Sequence, residues 1–302
     1  MRAWFYRVPL LFLSCPLLIG CSQPSAGVDW FDYTTGLTLT GSLRVDRDPD
    51  DVPFDRDTLA DNFEALAFRP EEDPFLTGEP APGEDEVHLR KWLKPIVYRI
   101  VEHPGGDTPF QGKMARYMDH LSRLTGVAIF EGRLRQGRSP ANLVVVYGDD
   151  EMMQVLADPL QLENPDWSEP RRRLARSISE SAAAWRTAPS PCAATIFSVS
   201  EVKEGHTFGE IISGFVFIRN EIPEALLDAC IEEELAQALG LLNDDDEVRP
   251  SIFNDDQEFA LLTRHDELLL RILYDPRLRP GMSMDEAMPL VRQIAAGIDG
   301  DG

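Results

Sequence analysis

From Val87 to Ile218 short apolar runs of β character alternate with longer runs of helical spacing, and from Glu224 onward only helical spacing continues. This order admits few architectures. Val87 to Glu102 reads as a strand pair or one long strand, with Trp92, Ile96, Tyr98 and Ile100 on one face by two-residue alternation. Phe110 to Leu124 is an amphipathic helix ended by Gly126, and Val127 to Phe130 and Leu143 to Tyr147 read as covered strands. Asp150 to Ala157 is a helix stopped by Pro159, and Trp167 to Trp185 is helical with a basic cluster, Arg171 to Arg173. Ala194 to Val199 and Ile211 to Ile218 flank a polar loop and read as a hairpin. Three helices follow, Glu224 to Leu241, Arg264 to Leu273 and Asp285 to Ala296. The expectation is an α+β domain over 87–299, with a mixed sheet, an antiparallel hairpin before the helix at 224 and a helical C-terminal part.

Ahead of that domain stands a different kind of sequence. Arg2 and Arg7 precede an apolar run from Val8 to Ile19, the charged-then-apolar order of an export signal. The run is too short to span a bilayer, which needs roughly 20 residues. Leu18-Ile19-Gly20-Cys21 resembles the bacterial lipobox. The resemblance implies a signal peptide over 1–20, acylation of Cys21, and a membrane held through that lipid. Ser22 in the next position, as in Gram-negative lipoproteins, implies the outer membrane, facing the periplasm. A tether is expected over 21–41, then an acidic and proline-rich extension over 42–86 holding one helix, Asp57 to Phe68.

Export also sorts the cysteines. Cys15 leaves with the signal and Cys21 is acylated, so Cys192 and Cys230 remain together in an oxidising compartment and should form a disulfide. Loss of residues 1–20 removes two arginines and no acid from 29 basic and 52 acidic residues, moving the net charge from −23 to −25. Such a surface repels nucleic acid and anionic headgroups. No Walker loop, G-x-S-x-G, dinucleotide fingerprint or Cys-x-x-Cys is present.

The informative stretch is the helix that begins at Glu224. At 100° per residue, Leu227, Ile231, Leu235, Ala238 and Leu242 form one apolar stripe, and Glu234 falls inside it. Glu233 and Gln237 lie just beyond its edge. A carboxylate in an apolar stripe costs desolvation unless it is paired, which marks Glu234 as the candidate catalytic residue.

Here the chain resembles the metzincin clan of zinc metallopeptidases, whose signature H-E-x-x-H-x-x-G-x-x-H breaks its helix at the glycine. Glu233-Glu234-x-x-Gln237-x-x-Gly240-x-x-Asn243 has that spacing; Phe253 in Ser251-Ile252-Phe253 stands at the clan's methionine turn, and Thr263-x-x-Asp266 through Leu273-Tyr274 resembles its closing helix. The resemblance implies a zincin-like fold with Glu234 at the general base. All three histidine ligands are replaced, by Glu233, Gln237 and Asn243, and amide oxygens hold zinc poorly. No cofactor is therefore expected, and the implied function is binding of an envelope protein or peptidoglycan by a degenerate, non-catalytic domain. The chain as a whole also resembles a group of proteobacterial lipoproteins of unknown function.

Three alternatives stand beside this. Glu233 and Asn243 with Asp244, Asp245 or Asp246 could hold calcium or magnesium through oxygen. Glu234 with Glu233 or His265 could act as an acid and base pair in an active envelope hydrolase, peptidase or muralytic. Or the helix is only a core helix with Glu232 to Glu234 solvated. His265 is expected as an exposed first-turn residue beside a Thr263/Asp266 capping box.

Overall fold

Alternation along single strands explains the layering. In a computed structural model that describes residues 28–69, 87–102, 109–132, 141–158, 169–187, 190–200, 202, 205–254 and 256–298, six strands form one sheet. They are β1 (Lys91–Trp92), β2 (Ile96–Glu102), β3 (Ile129–Glu131), β4 (Leu143–Gly148), β5 (Cys192–Ser198) and β6 (Glu210–Arg219). Val216 and Ile218 of β6 enter the larger core, while Phe215 and Phe217 join Val146, Met153, Ala182 and Trp185 on the opposite face. Successive side chains on a strand point to opposite faces, so both faces of this sheet are covered, and its strands read as continuous apolar runs.

The described helices are α1 (Trp30–Thr40), α2 (Arg56–Phe68), α3 (Pro109–Thr125), α4 (Asp150–Ala157), α5 (Glu169–Thr187), α6 (Glu224–Gln237), α7 (Arg264–Leu273) and α8 (Met284–Gly297). α4 and α5 cover the Phe215/Phe217 face, and α2, α3, α6, α7 and α8 fill the larger core. Local signals set their ends. Gly126 after α3 has φ of 75°. Ser283 and Glu286 cap α8 reciprocally, as Thr263 and Asp266 cap α7.

The sheet runs β1-β6-β4-β2-β3, and all of these neighbours pair in parallel. β5 alone is antiparallel, along β6 on the side away from β4, with Cys192 opposite Ile218. The sheet is thus mostly parallel, with one antiparallel strand. Val87 to Glu102 holds two strands, which do not pair with each other. Lys94-Pro95 interrupts it, β1 joins the start of β6, and β2 runs between β3 and β4.

Two segments ahead of residue 87 carry helices. The expected tether over 21–41 contains α1, which Asp29 caps at one end and Gly41, at φ 90°, closes at the other. Its Trp30 and Thr34 are buried. The expected extension over 42–86 contains α2, whose Leu59, Ala60, Phe63 and Leu66 lie in the main core against α7 and α8. Between them the strand-like segment at Leu43 and Arg44 bonds the backbone of Gln257, Glu258 and Ala260. The export signal, Cys21, residues 22–27 and the loop 70–86 lie outside the described residues.

Candidate functional site

α6 is fixed at its middle and just past its end, and this decides what its polar residues face. Midway along it, Cys230 is bonded to Cys192, the first residue of β5, with Cα atoms 5.7 Å apart. Past its end the chain turns at Gly240, which has φ of 122° and approaches so closely that an added Cβ would lie 2.2 Å from the Arg90 carbonyl oxygen. Only glycine fits there without a shift of backbone. Two carbonyls of the last turn are satisfied by side chains: the Trp92 indole donates to Ala238 at 2.8 Å and the Tyr274 hydroxyl to Leu239 at 2.8 Å.

Glu234 lies one turn beyond Cys230, hence on the helix face that the disulfide ties to β5, and it is 5% exposed. Glu233 beside it is half-buried. Gln237, 2% exposed, donates its amide to Asp244, 2.8 and 2.9 Å from the two carboxylate oxygens. Asn243 donates its side-chain amide to Ala65 of α2 at 3.1 Å and its backbone N–H to Leu66 at 3.3 Å. The structure therefore brings Gln237, Gly240 and Asn243 into one wall, and the amides of Gln237 and Asn243 bind protein oxygens.

Beneath the helix, Phe253 is fully buried. Its turn is held by Asp266, a fully buried carboxylate that accepts from Ser251 Oγ at 2.6 Å, Ile252 N at 3.0 Å, Thr263 N at 2.8 Å and Thr263 Oγ1 at 2.8 Å. One acid thus joins the 251–254 turn to the first turn of α7, and several charge-assisted bonds offset its burial.

His265 corrects the sequence reading: it is fully buried where an exposed first-turn residue was expected. Its Nε2 lies 3.0 Å from Asn62 Nδ2, and its ring packs edge-on against Phe54 at 4.8 Å. A ring enclosed by α2 and the 48–55 segment is not open to a substrate, which removes it from the acid and base alternative.

Among the described residues no three His, Cys, Asp or Glu side chains are placed to hold a metal ion. In the stretch weighed for calcium or magnesium, Asp244 accepts from Gln237, Asp245 from Arg69 at 2.7 Å, and Asp246 is exposed.

Sequence reasoning missed two groups. Glu232, 9% exposed, sits 200° around α6 from Glu234; Arg47 grips it with both guanidinium nitrogens at 2.6 and 2.8 Å, and Leu262 N–H donates to it at 2.7 Å. It is not one of three solvated acids. Its partner lies 185 residues earlier, so nothing local pointed to it. Lys91, 5% exposed, donates to the carbonyls of Leu273 at 2.8 Å and Leu278 at 2.9 Å, at the C-terminus of α7 where the helix dipole favours a cation. Burial pushes its pKa down to about 8.

These elements define a layered α/β domain in which a polar-walled helix is tied by a disulfide to an antiparallel edge strand. The chain belongs to the family described as a protein of unknown function (DUF2927), matched over residues 56–293. The match begins with α2 and ends within α8. No curated protein and no solved structure matches the chain.

Proposed function

We propose that this protein is a cell-envelope lipoprotein, anchored by an acyl chain on Cys21 in the outer membrane and facing the periplasm, whose zincin-like domain binds an envelope protein or peptidoglycan without hydrolysing it. The observation that carries the reading is the use of the amides at two of the degenerate ligand positions. Gln237 and Asn243 direct them into Asp244 and Ala65, where they hold the wall of α6 together. Further support comes from the helix break at Gly240, the buried Phe253 turn beneath it, the Thr263/Asp266 cap of α7, and the antiparallel β5 beside the helix. A general base without a metal-bound water has little to activate, so a shaped surface for recognition is the activity this arrangement retains.

One observation favours the alternative of an active hydrolase: Glu234 is held buried on the face turned to β5. A single set of measurements separates the two. The mature protein is analysed for bound metal and screened with its Glu234→Gln variant against peptide and cell-wall substrates, and envelope partners are captured by crosslinking. Absence of turnover together with a specific crosslinked partner supports the binding reading. Hydrolysis abolished by Glu234→Gln overturns it. The anchor is tested apart from this: Cys21→Ser should remain unprocessed or become soluble, and a variant that still fractionates with carbonate-washed membranes refutes it.

A further inference from the structure

On the side of α6 opposite Glu234, a cavity of about 520 Å³ opens between α3, α6 and α7. Its charge is unlike the rest of the molecule. Arg47, Lys113 and Arg116 line it with His120, in a chain of net charge −23 where acids outnumber bases by 52 to 29. Its three acids are already engaged. Glu232 is held by Arg47, Asp228 by Lys113, and Glu267 lies 3.0 Å from His120 Nε2, a contact that keeps its carboxyl below the usual range.

That pairing leaves one cation over. Arg116 has no ion pair among the described residues, and its guanidinium lies back along α3 over Gly112, with Nη1 3.4 Å from where a Cβ on residue 112 would stand. Apolar walls come from Ile231 and Leu261, and the Tyr117 ring is set by its hydroxyl donating to the Glu232 carbonyl at 2.8 Å.

We propose that this cavity binds a short peptide through its C-terminal carboxylate, with Arg116 as the carboxylate partner. A guanidinium fork matches a carboxylate with two parallel hydrogen bonds. The volume falls within the roughly 300–1,000 Å³ usual for small-ligand sites. The charge balance selects the class of ligand. Arg47 is matched by Glu232, Lys113 by Asp228 and Glu224, and Glu267 by its contact with His120, so Arg116 is the lining cation left without an ion pair among the described residues, which suits a singly charged carboxylate. A phosphate of higher charge would meet the surrounding acidic field with nothing further to neutralise it. The peptide backbone would lie along Ile231 and Leu261, and the ionised Glu267 accepts a peptide N–H.

This inference does not depend on the proposal for the opposite face of α6. The test uses a pooled library of N-acetyl tripeptides with free C-terminal carboxylates, and the same library amidated. Each is equilibrated with the mature protein, and the retained peptides are identified by mass spectrometry after ultrafiltration. The strongest binder is then titrated calorimetrically into the wild type, Arg116→Gln and, as a control elsewhere on the exposed face of α3, Arg123→Gln. The expected result is retention of free acids, at least tenfold weaker binding of the amide, a similar loss in Arg116→Gln, and no change in Arg123→Gln. No retained peptide, equal affinity of acid and amide, or undiminished binding by Arg116→Gln would overturn the proposal. So would displacement of the peptide by inorganic phosphate at lower concentration than by acetate.

Discussion

Replacing Asp266 tests whether one buried carboxylate organises the ground beneath the candidate site. Two backbone donors, Ile252 N–H and Thr263 N–H, reach it at 3.0 and 2.8 Å and lose that acceptor once it is gone. The two hydroxyls can turn elsewhere, since the Pro250 carbonyl also lies 2.9 Å from Thr263 Oγ1. Asp266→Ala therefore strands two buried N–H groups at about 1–3 kcal/mol each, roughly 4 kcal/mol in all. Asp266→Asn retains an acceptor toward the backbone donors and loses the charge that strengthens those bonds, for about 2 kcal/mol. For a chain of this size roughly 2–4 °C of Tm accompanies each kcal/mol. Thermal melts should therefore show a fall of about 8–16 °C for the alanine variant and about half of that for the asparagine variant. Urea titrations with the disulfide intact give the free energies and check that the m-value is unchanged. Variants indistinguishable from wild type, or an asparagine more damaging than the alanine, would show that this carboxylate does not organise the turn.

Other positions give separate tests. Gly240→Ala should cost more than about 2 kcal/mol in urea, because its Cβ would enter the Arg90 carbonyl at a positive φ; Gly297→Ala, with nothing within 4 Å, should be neutral or slightly stabilising and serves as the control. Reducing the Cys192–Cys230 bridge, which closes a separation of 38 residues, should lower stability by about 4 kcal/mol on the chain-entropy account, and two alkylatable thiols in the unreduced, unfolded protein would refute the pairing. Lys91 gives a pH dependence. Its pKa falls from 10.5 to about 8 on folding, so between those values the unfolded chain holds a proton that the folded chain has released, and stability should rise with pH through that window. Lys91→Met should flatten the rise. Above pH 10 the slope should reverse, since burial raises the pKa of Tyr117 and Tyr274 and the unfolded chain ionises first.

What the sequence determined by itself is local. Helix α7 runs over the residues that its spacing and capping box define, α3 stops at Gly126, and α6 breaks at a glycine whose φ and close approach admit no other residue. Cys192 and Cys230 were legible as partners because the export expected from the N-terminal sequence would remove the competing thiols. Periodicity reports which face of an element turns inward and is silent on what that face meets. Only the tertiary structure decided that β1 leaves its chain neighbour β2 for β6, since a two-residue strand carries no register of its own. It alone decided that α1 and α2 fold onto the domain, although their polar, proline-bearing surroundings read as tether and extension. The same holds for the acids of α6. Angle on the wheel singled out Glu234 correctly as buried, and it could not tell that Glu232 is buried as well, because desolvation of that carboxylate is offset by Arg47 from the far end of the chain. The burial of His265 has the same cause: a polar first-turn residue goes inside when Asn62 and Phe54, remote in sequence, arrive to enclose it.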